Sequence, residues 1–197
     1  MRCLYLTVIL AICGACEPNR LTPEELDIYI ADEANGLIKF VETGRSRVGV
    51  AYRPTDLLVH QNIAGNATVA MIEAERKKYS PYLYFILSLS TDNREALHAT
   101  EAMKYGDLVQ TLSFRMGDYV TLTTDANDTI PVSDFVLNRT YGFSNSTDLL
   151  FVFDRKKAEE KEWVQFNLNE CGLGIGNQHF RFKMDDIKSI PVVTFNQ

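Results

Sequence analysis

The eight residues Tyr82 to Leu89, YLYFILSL, constrain this chain more than any other stretch. Pro81 stops whatever precedes them, and the run is too short for a helix bounded in this way. A continuous apolar run of that length predicts a central strand covered on both faces. Period-two alternation elsewhere supplies neighbours for it. Leu37 to Val41 and Val48 to Tyr52 flank a turn at Gly44-Arg45-Ser46-Arg47, a hairpin pattern. Further short strands are expected at Thr111 to Phe114, Tyr119 to Thr123, Ile130 to Asn138, Leu149 to Phe153, Trp163 to Leu168 and His179 to Met184. Gly, Asn, Asp and Ser fill the turns between them.

Helical spacing marks three segments, and Arg155 to Glu162 is a charged loop or exposed helical turn. Thr22-Pro23-Glu24-Glu25 has a cap, a first-turn proline and acids on the positive end of the dipole, and Leu26, Tyr29 and Ile30 share one face. Val69 to Lys78 and Asn93 to Tyr105 are the other helical segments, the latter capped by Asp92 or Asn93 and weakened by Gly106. Leu57-Leu58-Val59 fits an edge strand or a helical turn equally. The expected fold class is therefore α+β, with antiparallel β-sandwich-like sheets and two or three helices.

The first sixteen residues read differently. Arg2 precedes an apolar run from Leu4 to Ile12, and Cys13, Gly14 and Ala15 are small residues before Cys16. Nine helical residues rise only ~14 Å against a bilayer core of ~30 Å, so this is no membrane span. It reads as an export signal over residues 1–15, cut before Cys16. Residues 16–22 then form a tether and residues 23–197 one globular domain. The formal charge of −6 becomes more negative once Arg2 leaves, which argues against nucleic acid and against electrostatic adhesion to anionic lipid. Cys3 and Cys13 leave as well, so Cys171 has no partner unless Cys16 serves as one. It reads as a small, half-buried structural residue.

Candidate chemistry is sparse. Tyr52, Arg53, Asp56 and His60 cluster where a strand meets Pro54, so they could line a small polar pocket. Pairing of Arg53 with Asp56 to fix the turn is the simpler reading, and no nucleophile is spaced to complete a triad. Glu95, His98 and Glu101 recur at three-residue intervals on a predicted helix and could hold a divalent metal, although a drift of ~60° per step spreads the outer two. A solvated face is the simpler reading there too. Gly172-Leu173-Gly174-Ile175-Gly176-Asn177 lacks the third glycine of a dinucleotide loop at the required offset and precedes a strand, so it reads as a tight turn. His179 reads as an ordinary edge residue. No cofactor is expected. The sequons at Asn66, Asn127, Asn138 and Asn145 carry meaning only in a eukaryotic secretory route, where Cys16 and Cys171 would bridge.

Several landmarks resemble a family of envelope lipoproteins from Bacteroidetes bacteria. They are a lipobox-like ending at Cys16, with Cys13 where leucine is usual, Asn35-Gly36-Leu37 with Lys39, and Tyr52-Arg53-Pro54-Thr55-Asp56-Leu57-Leu58-Val59. Thr129-Ile130-Pro131, Leu173-Gly174 with Gly176, Phe180-Arg181-Phe182-Lys183 and Ile190-Pro191 complete the set. No catalytic motif belongs to this likeness. It implies a diacylglycerol on Cys16 and a lipid-anchored place in the bacterial cell envelope, at the outer membrane. The expected function is a non-enzymatic interaction or structural module, with the membrane, through the lipid, and another envelope protein or a glycan as partners. The alternative is a periplasmic or surface hydrolase or ligand-binding enzyme built on Arg53, Asp56 and His60, or on Glu95, His98 and Glu101.

Overall fold

The computed structural model describes residues 20–63, 67–99 and 102–195. The expected leader, Cys16, Asn66 and Glu101 lie outside the described residues. The first half runs β1 (Arg20–Leu21), α1 (Pro23–Ala31), β2 (Ile38–Thr43), β3 (Ser46–Arg53), α2 (Thr55–Asn62), α3 (Val69–Tyr79), β4 (Tyr82–Thr91) and β5 (Arg94–Glu95). The second half runs α4 (Ala102–Phe114), β6 (Val120–Thr124), β7 (Thr129–Pro131), β8 (Asp134–Asn138), β9 (Thr147–Asp154), β10 (Trp163–Leu168), β11 (Gln178–Lys183), α5 (Met184–Lys188) and β12 (Val192–Val193). The fold is α+β, and its two larger sheets are antiparallel throughout. Among the described residues no helix is long and apolar enough to cross a membrane.

One sheet has the order β2-β3-β4-β9-β8, with β5 added to the end of β4; the other has the order β11-β10-β6-β7. The YLYFILSL run is the central strand β4, hydrogen-bonded to β3 and β9. Its inward residues Leu83, Phe85, Leu87 and Leu89 are all buried. The expected cover on the second face is partial. Tyr84 is buried there, whereas Ile86 and Ser88 are half-exposed and Tyr82 is exposed. The Tyr84 ring meets Tyr79 of α3 at 6.1 Å, so only one end of that face carries a helix. The two sheets are joined by aromatic contacts. Phe85 of β4 lies 5.9 Å from Phe166 of β10 and 5.1 Å from Phe182 of β11, and Phe151 and Phe153 of β9 reach Phe166 edge-on at 5.5 and 6.1 Å.

Local chemistry sets several boundaries. Thr22 and Glu25 form a reciprocal capping box at the start of α1, as the sequence pattern predicts. Pro54 ends β3 and also stands at the N-cap of α2, so Leu57-Leu58-Val59 is helical. The Asn93 to Tyr105 helix is not found. Asp92 and Asn93 have φ of 51° and 59°, the two-residue turn that folds β5 back onto β4, because Asp and Asn suit such turns as well as they suit helix caps. The helix comes later as α4, which also absorbs the expected strand Thr111 to Phe114. Gly106 sits inside it with open space where a Cβ would be, so no close contact explains the glycine. The single strand expected over Ile130 to Asn138 is two. The chain leaves the smaller sheet after Pro131, and Ser133 N–H donates to Val152 C=O (2.8 Å) as β8 joins the larger one.

Phe85 is the hub of the aromatic contacts, touching Tyr52, Phe153, Phe166 and Phe182. Phe85→Ala is expected to cost about 3–5 kcal/mol of unfolding free energy, read from the denaturant midpoint at unchanged slope.

Candidate functional site

Arg53, Asp56 and His60 do not converge. Arg53 projects from the outer face of β3 and donates to Asp27 of α1 (2.8 Å). Asp56 receives both arms of the Arg76 guanidinium (2.7 and 2.9 Å), and Arg76 also reaches Glu73 (3.0 Å). Those bonds raise the Arg76 pKa above its ordinary value. His60 stands 3.9 Å from Glu24 and beside the Phe195 ring. The expected Arg53 to Asp56 pair is therefore replaced by two longer-range pairs. The reason is geometric: Pro54 turns the chain between them, sending Arg53 to the outer sheet face and Asp56 to the helix side.

A pocket does form at this turn, with different members. Tyr52 points inward from the end of β3, 3% exposed, and its hydroxyl accepts from Arg155 Nη2 (3.0 Å). Burial raises the Tyr52 pKa, against the opposing pull of Arg155, so the phenol stays protonated. Arg155 also donates from Nε to Ser80 C=O (2.9 Å). Tyr52, Thr55, Asp56, Arg76 and Arg155 form the polar part of a cavity of about 280 Å³ that Pro54 also lines. The sequence shows Arg155 only as the first residue of a charged loop; nothing local marks it as facing a cavity.

Glu95 and His98 come together, though not on a helix. Glu95 is on β5 and is 3% exposed. Its Oε1 accepts from Gly142 N–H (2.9 Å), from Ser144 N–H (3.3 Å) and from the Thr140 hydroxyl, while Oε2 faces His98 Nε2 at 3.4 Å. Burial pushes this carboxyl up, but the Thr140, Gly142 and Ser144 bonds and the His98 ring bring it below its ordinary 4.5. Glu101 lies outside the described residues, and among those described no group of three or more His, Cys, Asp or Glu could hold a metal. What Glu95 holds is the loop of residues 139–146 between β8 and β9. With positive φ at Tyr141 (53°) and Gly142 (89°), the loop turns the Gly142 and Ser144 amides to Glu95, and Tyr141 is 69% and Phe143 96% exposed. The Arg139 guanidinium stacks 5.1 Å from the Tyr141 ring centre. Two aromatic rings in a turn otherwise made of Arg139 and of Gly, Asn, Ser and Thr are the sequence signal for this feature, since such turns do not need them.

A second carboxylate fills the glycine-rich turn. Glu170 accepts from Gly172 and Gly174 N–H at Oε1 (both 2.8 Å) and from Gly176 N–H at Oε2 (2.6 Å). Those glycines have φ of 100°, 70° and 66°, which points their amides to one side. Partial burial opposes ionisation, but the amides hold Glu170 below the ordinary carboxylate range. The loop is thus an anion nest occupied by the chain's own side chain. Cys171 is buried and carries a free thiol, and burial with Glu170 alongside pushes it up to about 11, which fits a structural role.

The two outer sheet faces differ. On the smaller sheet Thr123, Gln165, Asn167 and His179 are cross-linked by hydrogen bonds, and Arg181 stacks on Trp163 at 3.9 Å. His179 is thus an exposed member of a polar ladder. On the larger sheet the register aligns Ile38, Ala51, Ile86, Leu150 and Val136 in one apolar row across five strands. The row ends at Val136, 57% exposed, on the strand that leads into the Tyr141 loop. Comparison of the chain with protein-family models, with curated proteins and with solved structures finds no match.

Glu95→Gln tests the hold on the loop. A carboxylate with a lowered folded pKa stabilises above its unfolded pKa and ceases to as pH falls through the folded value. The variant is expected to lose on the order of 1–2 kcal/mol at neutral pH. The gap from wild type should shrink as pH falls below 4.5, read from paired melting curves.

Proposed function

We propose that this chain is a lipid-anchored protein of the bacterial cell envelope, at the outer membrane, and that it works as a non-enzymatic interaction module through the loop of residues 139–146. The observation that carries the reading is the exposure of Phe143 and Tyr141 on a loop whose backbone is pinned by the buried Glu95. Exposed aromatic rings are unfavourable in water and become favourable when a partner covers them. A loop already fixed in shape loses little further freedom on binding. Tyr141, Phe143 and the stacked Arg139 are the residue types that dominate protein interfaces, so the partner class is another envelope protein in preference to a glycan.

Tether geometry supports the same reading. Arg20 pairs with Val192, so only residues 16–19 separate an acylated Cys16 from the folded part. Four residues span at most ~14 Å, which keeps the β1–β12 end close to the lipid surface. The loop stands at the other end of β9, whose eight residues extend ~26 Å. The aromatic rings then face away from the membrane. Two or more acyl chains suffice for stable anchoring without a charged surface, in keeping with the acidic composition. The hydrolase reading has less support, because Arg53, Asp56 and His60 each engage a different structural partner.

Two measurements test this. In a bacterial host given labelled palmitate, the wild type is expected to incorporate label and Cys16→Ser is not; label that survives the substitution overturns the anchor. Photo-crosslinking in intact envelopes, followed by mass spectrometry, is expected to capture a partner protein with the wild type. The Tyr141→Ala, Phe143→Ala double variant should retain its melting temperature and lose capture roughly tenfold or more. Equal capture by both proteins overturns the loop as the contact surface, and saturable binding of isolated envelope glycan that depends on the two rings overturns the partner class.

A further inference from the structure

The cavity beside Tyr52 combines one uncompensated cation with an apolar wall. Leu26, Ile187, Ile190, Pro191, Val192 and Val193 form that wall, opposite Tyr52 and Arg155. The charged groups facing it are three. Asp56 and Arg76 neutralise each other through two hydrogen bonds, with Glu73 on the far side of Arg76. Arg155 has no carboxylate within 4.0 Å among the described residues. Its described side-chain bonds go to the neutral Ser80 C=O and Tyr52 hydroxyl, and Nη1 is engaged by neither. The Tyr52 hydroxyl accepts in that pair, and its own proton has no acceptor among the described residues. A half-buried guanidinium held only by neutral acceptors, next to a buried phenol with a proton to donate, is half of a carboxylate site.

We propose that this pocket binds a small monocarboxylate with a short aliphatic tail. One carboxylate oxygen accepts from Arg155 and the other from Arg155 or the Tyr52 hydroxyl, while the tail lies against Ile187, Ile190 and Val193. The cavity of about 280 Å³ is just below the ~300–1,000 Å³ usual for ligand sites, so it fits a tail of a few carbons. A second anionic group on the ligand would meet either the apolar wall or the Asp56 carboxylate, so dianions are disfavoured. The site is separate from the aromatic loop and does not depend on it.

The test uses the full chain in detergent, with 3-methylbutanoate as probe and its uncharged amide and inorganic phosphate as controls, followed by ligand-detected NMR. Saturable binding of 3-methylbutanoate is expected at millimolar concentrations, with the amide and phosphate much weaker. Arg155→Gln should weaken binding about tenfold or more, and Tyr52→Phe roughly threefold to tenfold. Ile190→Trp, which fills the cavity from its apolar wall, should abolish it. Melting curves check each variant, and if Arg155→Gln does not fold the other two decide. No saturable binding by the wild type overturns the site, as does binding unchanged in both Tyr52→Phe and Ile190→Trp. Equal binding of acid and amide overturns the role of Arg155, and phosphate binding as tight as the acid overturns the apolar subsite.

Discussion

Everything in this fold depends on the aromatic contact between its two sheets. Phe85, Phe151 and Phe153 from the larger sheet meet Phe166 and Phe182 from the smaller, and all five are fully buried. Rings meeting edge-on or tilted lock both the distance and the angle of the layers in a way that flexible aliphatic side chains do not. That contact fixes where the strand ends come out. One end of the sandwich gathers Tyr52, Pro54, Ser80 and Arg155; the other gathers the Gly44 turn, the Asp92-Asn93 turn and the loop of residues 139–146. The two features with chemical character are thus held about one strand length apart by the same core.

The loops at these ends are closed by carboxylates. Glu95 collects the amides of Gly142 and Ser144, and Glu170 those of Gly172, Gly174 and Gly176. In both cases residues with positive φ turn successive N–H groups the same way, which concentrates positive potential in a small concavity. An external anion is the usual occupant of such a nest, yet here a side chain of the chain itself is bound. The consequence differs between the two. Glu170 is local to its loop and stabilises a turn, whereas Glu95 is about 45 residues from its loop and couples the tip of β8–β9 to the tip of β4–β5.

How much of this was legible follows from the range of each interaction. The strands β3, β10 and β11 could be read because one buried face leaves a period-two trace in the sequence, and β4 and β9 because each holds a continuous apolar run. Asp92 and Asn93 could not, since the same residue types cap helices and form two-residue turns, and only the φ values separate the uses. The Ile130 to Asn138 run is rich in strand-forming residues on both sides of Ser133, and nothing local shows that Val132 and Ser133 carry it from one sheet to the other. At the site level the turn at Pro54 was visible as a place where a pocket could form. Its members were not, because Arg76 and Arg155 arrive from α3 and the end of β9 and no local spacing connects them to Tyr52. Glu95 and His98 meet in a turn and not on a helix, since a three-residue offset brings side chains together in both, and the burial of Glu95 has no local trace.

The chain's two ends bear on the cavity together. β1 and β12 form a two-residue parallel pair, and Thr194 N–H donates to Leu21 C=O (2.8 Å). Arg76 Nη2 donates to Val193 C=O (3.2 Å) and the guanidinium stacks on Phe195 at 5.3 Å. The strap that walls the cavity is therefore clamped on one side by the N-terminal segment and on the other by the arginine that neutralises Asp56. So short a pairing contributes few hydrogen bonds, so the strap relies on its side-chain contacts: Val193 in the core, and Ile190 and Phe195 packed against it. Because β1 is paired with β12, whatever steadies the strap also steadies β1.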